Sequence, residues 1–426
     1  MKMQEALLHY IWKHSFFDNT EYTADTGEKI KVLETGMHNH DGGPDFTNAK
    51  VMIDGTLWAG NVELHIKSSD WQNHGHHKNA AYDNVILHVV EIIDNTCISC
   101  SKRQIPSIKL RYNKKIERRY NELICREDLI GCSESLISLN MSLISFWLSA
   151  LAIERLYSKT QNIQSTLATV QNNWEEAFYI HLARSFGLKI NSVPFEMLAK
   201  SIPLKILAKH SNDFFQLEAL LFGQAGFLEG EPEDEYQSHL ASEYLHLKNK
   251  YQLKNIEVHV WKFLRLRPSN FPTIRIAEFC SLINNSKSLF SKILECTTVK
   301  EVHELFRYSV SGYWKNHYTF GKKSLQKDKF IGNRFIDSIS VNVIIPFMFV
   351  YGDRKNIEEL KDRAIRLLEE IAPENNNIIR KWKNYNIDPR HAADTQALLQ
   401  LANEYCENKR CLECQIGNLI LRKIKE

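Results

Sequence analysis

Residues that do acid–base and metal chemistry crowd into one short stretch, GPDFTNAKVMIDGTLWAGNVELHIKSSDW, residues 43–71. Asp45 opens it. Glu63 and His65 follow two residues apart, and Lys67 lies two further on. Two apolar-alternating runs flank Asp54-Gly55, the composition of a β-hairpin. Adjacent carboxylates raise each other's pKa unless a cation lies between them. A hard divalent ion, Mg²⁺ or Mn²⁺, takes oxygen ligands and keeps several waters. One such water can become a nucleophile. Asp45 and Glu63 are therefore the expected metal ligands.

Whether the two acids meet depends on the turn. A three-residue loop, Ile53-Asp54-Gly55, with Gly55 left-handed, pairs Met52 with Thr56 and sets Asp45 opposite Glu63. A two-residue loop sets Asp45 opposite Leu64 and turns Glu63 to the other face. The three-residue register is the expectation. It places Ala49, Val51, Leu57 and Ala59 on the face of Asp45, Glu63 and His65.

Further candidates lie nearby. HGHHK carries His74, His76 and His77 just after Asp70 and Trp71. His-x-His beside an acid can bind zinc or manganese, support the same active site, or stand as surface imidazoles. His88, inside the apolar run NVILHVV, is ambiguous in the same way. At the other end of the chain, Cys406, Cys411 and Cys414 form C-x4-C-x2-C. Three thiolates so spaced could hold zinc, or an Fe–S cluster with a fourth ligand from elsewhere. Cys97 and Cys100 form a separate C-x2-C. Cys125, Cys132, Cys280 and Cys296 read as small buried residues.

The elements that must position these groups change along the chain. Residues 1–130 alternate helix and strand: an N-terminal helix, then KIKVLET, DFTNAKVMI and TLWAGNVELHIK as strands. A helix over HKNAAYD follows, then strands at NVILHVVEII and QIPSIKLRY. Residues 131–426 show apolar spacing of three and four almost throughout, as in WEEAFYIHLARSFG with its helix-stopping Gly187. The fold class is thus α+β, a small mixed-sheet domain followed by a large all-α domain carrying the C-terminal cysteines.

The 426 residues suffice for two or three domains. Net charge is only +3, so nucleic-acid binding would rest on local runs. One is SKRQIPSIKLRYNKKIERRYNELICR, where Lys114, Lys115, Arg118 and Arg119 could contact phosphates. Another is WKFLRLRPSNFPTIRIAEF, where Arg265, Arg267 and Arg275 interleave with aromatics. The alternative for the first is a solvated face, and for the second a packed loop with arginines paired to acids such as Glu278. The first eighteen residues form an amphipathic helix with Glu5, His9, Lys13 and His14, not a signal peptide. No apolar run matches a membrane span. A cytoplasmic protein without membrane contact is expected. Nine cysteines, an odd number, argue against a disulfide framework. No Walker loop, dinucleotide fingerprint or nucleophile elbow is present.

Helix, three strands, helix, strand, with Pro44-Asp45 opening the second strand and Glu63-Leu64-His65 on the third, resembles the PD-(D/E)XK nuclease superfamily. The resemblance covers about the first quarter of the chain. It implies that the acids hold Mg²⁺ or Mn²⁺, that the third motif residue orients or deprotonates water, and that an acid on the first helix, here Glu5, assists. His65 stands where that pattern has lysine. A neutral imidazole accepts a proton but lacks lysine's constant charge, and Lys67 could supply it. Some members of the superfamily carry a C-terminal iron–sulfur cluster. The whole chain also resembles a bacterial family of unknown function, through GPDF, GNVELHIKSSDWQNHGHH, LHVVE and LRLRPSNFPTIRIAE. The expected function is a metal-dependent phosphodiesterase or nuclease acting on nucleic acid. The alternatives are a catalytically inactive scaffold on the same fold, or a hydrolase of small phosphoesters with the histidine cluster as ligands. The residues do not distinguish DNA from RNA or fix an oligomeric state.

Overall fold

The computed structural model describes residues 4–18, 20–136 and 141–423. Packing divides the chain into two units, Met1–Trp147 with Leu401–Glu426, and Leu148–Gln400. This differs from a division at residue 130. The first unit runs on to Trp147 and takes back the C-terminal segment with its three cysteines.

The first unit begins with α1, Glu5–Lys13. Leu7, Leu8, Ile11 and Trp12 recur at helical spacing and are buried. Strands follow: β1 (Tyr22–Thr23), β2 (Lys29–Glu34), β3 (Met37–His38), β4 (Phe46–Ile53) and β5 (Thr56–Lys67). A single-turn helix α2, Asp70–Asn73, leads to two 3-10 turns, His76–Lys78 and Ala80–Tyr82. The helix expected over HKNAAYD is therefore broken into tight turns, around Asn79 in an extended conformation. Then come β6 (Val85–Ile92), β7 (Cys97–Ile98), β8 (Gln104–Ile105), β9 (Ser107–Lys109) and α3 (Lys115–Cys125). The single strand expected over QIPSIKLRY is split at Pro106, which has no N–H to donate. On one side of it β8 pairs with β7, and on the other β9 pairs with β6.

The sheet order is β1-β2-β4-β5-β6-β9, with β3 also on β4. β2, β4 and β5 are antiparallel, while β6 runs parallel to β5 and β9 parallel to β6. This is the mixed sheet expected. Val85–Val90 of β6 are all buried. A strand paired on both edges in parallel and covered on both faces needs such a continuous apolar run. His88 is the exception within it.

The hairpin corrects the expected register. Its loop is two residues, Asp54-Gly55, with φ of 44° and 80°, and Ile53 pairs with Thr56. Positive φ at both loop positions gives a type I′ turn, whose twist matches the strands. That register alone would set Asp45 opposite Leu64. A β-bulge undoes it: Ala49 pairs with Gly60 but Phe46 with Val62. Thr47 and Asn48 thus share one opposing residue, and Asn48 takes the extra step at φ 56°. Asp45 arrives opposite Glu63 after all, by a different route. The two-residue turn sets Ala49 and Val51 opposite Gly60 and Trp58, on the face away from Glu63, and Leu57 and Ala59 are exposed. Gly36 makes room for the bulged strand, since a Cβ there would lie 2.4 Å from the Thr47 carbonyl oxygen.

The second unit is helical. Among its described residues the only strands are the short pair His317–Thr319 and Lys322–Lys323. The helix over WEEAFYIHLARSF spans Trp174–Phe186 and stops at Gly187 as expected. One helical run, Asn333–Lys355, has the length and mean hydropathy (1.6) of a membrane span, and 72% of its most apolar window is buried within the protein. That is the environment of a core helix.

The bulge makes a direct prediction. Left-handed backbone costs a β-branched residue roughly 1–2 kcal/mol and glycine almost nothing. Asn48→Val should lower the urea midpoint accordingly, while Asn48→Gly leaves it nearly unchanged. Equal midpoints for the two variants would remove the bulge from the account of the register.

Candidate metal centre

The acids of β4 and β5 bind each other's strands. The Asp45 main-chain N–H donates to Glu63 Oε2 at 3.0 Å, and the Leu64 N–H donates to Asp45 Oδ2 at 2.9 Å. Asn39 holds the approach to this point. Its N–H donates to the Asp45 carbonyl at 2.7 Å, and its Nδ2 to the Pro44 carbonyl at 3.0 Å. The carboxylates thereby replace ladder bonds at the end of the hairpin, and each keeps an oxygen for other partners.

Both carboxylates also meet imidazoles. Glu63 Oε1 lies 3.2 Å from His76 Nε2 and 3.7 Å from His65 Nε2. His65 Nε2 is in turn 3.1 Å from His74 Nδ1. One ring nitrogen each of His65, His74 and His76 fall within 4.8 Å of one another. On the other side of the hairpin, His9 Nε2 lies 3.3 Å from Asp45 Oδ2 and 3.8 Å from Glu5 Oε1. The Nε2 atoms of His9 and His76 are buried, yet neither is aligned for a hydrogen bond. The His76 nitrogen, beside Glu63 but off the hydrogen-bonding line, suits a site whose donors converge on a cation rather than on each other.

Local structure explains why three imidazoles converge. β5 buries His65, which is 1% exposed. Trp71 in α2 is fully buried and donates Nε1–H to the Ile98 carbonyl at 2.9 Å, which fixes the turn over the strand. Gly75, at φ 77°, then reverses the chain, so His74 before it and His76 after it both face His65. The His76 ring stacks on Tyr82 with centroids 3.9 Å apart.

Behind His65 runs a line of polar contacts into the sheet. His65 Nδ1 is 2.9 Å from His88 Nε2, and His88 Nδ1 is 3.3 Å from Ser107 Oγ and 3.1 Å from Cys97 Sγ. Two ring nitrogens in contact share one proton. If His65 Nε2 ligates a metal, Nδ1 carries the proton and donates to His88, which then donates onward to Ser107. That is how metal-binding imidazoles are usually oriented.

Burial dominates the electrostatics. It holds His65 down at about 4, helped by His76 and His74. Burial also holds His88 well below its ordinary value. Burial raises Glu63, and the neighbouring Asp45 charge adds to that, against the pull of His76. Asp45 goes the other way. Burial would raise it, but His9 and the Leu64 N–H outweigh that and lower it. His9 is raised: burial opposes its charge, while Asp45, Glu5 and Glu63 favour it more strongly. One carboxylate is thus lowered beside an imidazole that is raised, and the other is raised by burial beside His65, which burial lowers.

A family described as "Protein of unknown function (DUF2851)" matches residues 5–377. The chain belongs to this family. No curated protein and no solved structure matches it. The match spans every residue of the candidate site described above.

The remaining expected residues of the DUF2851 chain divide clearly. Glu5 lies beside His9 and in the field of Asp45, which, after burial, helps raise it. Lys67 is exposed and lies in the field of Asp94. His77 is outside the three-imidazole group. Lys114 is already paired with Glu91 at 2.7 Å and Arg119 with Glu122 at 3.3 Å. Lys115 and Arg118 are exposed, with no side-chain ion pair among the described residues. Arg265 and Arg267 are exposed. Arg275 is buried, donates to Glu278 at 2.7 Å and Asn270 at 2.6 Å, and stacks over Phe335, so it is withdrawn as a nucleic-acid contact. His9 is the residue sequence reasoning missed. Its signal was available: it lies four residues after Glu5 on the same amphipathic helix.

The buried imidazoles set a pH dependence. Unfolded histidine titrates near 6.5. His65 and His88 titrate lower in the folded state, so between about 6.5 and 4 these two imidazoles bind more protons in the unfolded chain. The stability they contribute to the metal-free protein should fall as pH drops through that window, against the opposite contribution of Glu218 and Glu278, which burial raises to about 7. Each imidazole contributes up to about 1.4 kcal/mol per pH unit. Urea midpoints in chelator at pH 7 and pH 5 test this, together with the His65 ring resonances, which should not shift above pH 5. Titration of His65 near 6.5 would contradict the burial argument.

Proposed function

We propose that the chain is a metal-dependent phosphodiester hydrolase acting on nucleic acid. The observation that carries the reading is the convergence of Glu63 Oε1 with nitrogens of His65, His74 and His76, beside a carboxylate, Asp45, paired to His9. A divalent cation at this point would be held by Glu63 and the imidazoles, and would supply Lewis acidity toward a phosphoryl oxygen and acidify a water. Three nitrogens with one carboxylate favour Mn²⁺ or Zn²⁺ over Mg²⁺, which prefers oxygen ligands throughout. His65, backed by His88, orients the centre, and the His9–Asp45 pair holds a proton at its edge. The order of α1, β2, β4, β5, α2 and β6 supports the resemblance to PD-(D/E)XK nucleases. The exposed Lys115 and Arg118 support nucleic acid as the substrate class.

A non-catalytic reading draws on one observation. Both carboxylates already accept main-chain N–H groups, so they would hold the hairpin together without any metal. Glu63→Gln separates the two. The amide's remaining oxygen can still accept the Asp45 N–H, so the fold should survive by circular dichroism. Calorimetric affinity for Mn²⁺ should fall by at least tenfold, and cleavage of single- and double-stranded DNA and RNA should vanish. A folded variant that binds Mn²⁺ as the wild type does would remove Glu63 from the centre.

Salt dependence tests the substrate. Each phosphate contact adds roughly 0.9 to the log–log slope of binding against salt. Replacing Lys115 and Arg118 with Ala should flatten the slope by nearly two units and weaken binding similarly across sequences. Lys114→Ala, which removes a charge already paired, should change it less. No wild-type affinity for DNA or RNA at low salt would overturn the nucleic-acid reading.

A further inference from the structure

Four of the nine cysteines gather at one place in the first unit, away from the imidazoles. Cys406, Cys411 and Cys414 of the C-terminal segment line one small cavity of about 20 Å³ together with Cys132, which follows α3. Sequence reading counted Cys132 among small buried residues, because 274 positions separate it from Cys406. All four are free thiols. Neighbouring free thiols that form no disulfide, facing one space, are the donor set of a soft metal.

The backbone around the cavity is shaped to bring the sulfurs in. Gly131 precedes Cys132, and a Cβ there would lie 2.1 Å from the Leu123 carbonyl oxygen. Gly417 follows Cys414 by three residues, and a Cβ there would lie 2.0 Å from the Cys411 carbonyl oxygen. Side chains at either position would push the cysteine-bearing turns apart. Lys409 lines the cavity too, and its Nζ is fixed by the Arg126 carbonyl at 2.9 Å. It supplies a positive charge against the negative charge that four thiolates leave after binding one dication.

We propose that Cys132, Cys406, Cys411 and Cys414 form a closed four-thiolate site for zinc or an iron–sulfur cluster, which staples the C-terminal segment to the turn after α3. Binding forms four metal–sulfur bonds, and each ligating thiol loses its proton to solvent. With no position left for a substrate, the site is structural. The three C-terminal cysteines lie beyond the residues that the family match covers, so the inference concerns this chain.

The test uses the full chain purified without oxygen, in the Glu63→Gln background, so that metal at the imidazole centre does not count. Elemental analysis and acid-labile sulfide should show either about one zinc per chain and no sulfide, or several irons with matching sulfide. Cys132→Ser and Cys411→Ser should each reduce that metal at least fivefold. Cys100→Ser, at an exposed cysteine elsewhere, should not. Because the cysteine variants could fail to fold, alkylation of the parent protein is the second readout. A chelator, or an oxidant for a cluster, should expose these four cysteines together to alkylation, mapped by mass spectrometry. Protein lacking both metals, metal retained by Cys132→Ser, or alkylation of the four unaffected by metal removal would each overturn the proposal.

Discussion

The first unit depends on a reciprocal exchange. Asp45 gives its main-chain N–H to the Glu63 carboxylate, and the strand bearing Glu63 gives the Leu64 N–H to the Asp45 carboxylate. Main-chain donors to buried anions are strong hydrogen bonds. At Glu63 the bond also fixes which carboxylate oxygen turns outward. Glu63 Oε1 faces His65 and His76, while Asp45 faces His9. Two acids that would repel if both were left free are separated into two electrostatic environments a few ångströms apart.

The bulge at Asn48 makes this possible. A type I′ turn favours the twist of the hairpin but sets the wrong register for the acids. One extra residue in β4 corrects the register only beyond Ala49, leaving the turn undisturbed. The cost is one non-glycine residue at positive φ, at the point where Gly36 lets the neighbouring chain pass close. Local strain beside a chemically armed pair is a common bargain in proteins.

The helical unit puts its polar motif residues to a different use. Arg275 and Glu278 are buried and paired. Glu218 is fully buried and accepts from Trp314 Nε1 at 2.8 Å and Ser311 Oγ at 3.0 Å, and also from Tyr236. Burial raises both Glu218 and Glu278 to about 7. Such buried networks fix one packing arrangement at the expense of desolvation. The motif LRLRPSNFPTIRIAE is thus an internal brace at Arg275 and Glu278, and of its three arginines Arg265 and Arg267 reach solvent.

Local patterns determined much of this. Period-two alternation marked β4 and β5, a continuous apolar run marked β6, and helical spacing marked α1 and the helices from residue 141 on. Those signals arise from neighbours in sequence, so they survive without a structure. The juxtaposition of Asp45 with Glu63 was legible, but for the wrong reason, because turn type and bulge trade one residue against each other and composition does not show which. Three contacts were settled by the tertiary structure. His9 joins Asp45 because α1 packs beside the hairpin. His74 and His76 face His65 because Trp71 anchors the turn. Cys132 meets Cys406, Cys411 and Cys414 because the C-terminal segment returns to the first unit. Each is a contact between residues that sequence spacing does not relate. The packing that unites them is chosen by the whole buried core rather than by any local run of residues.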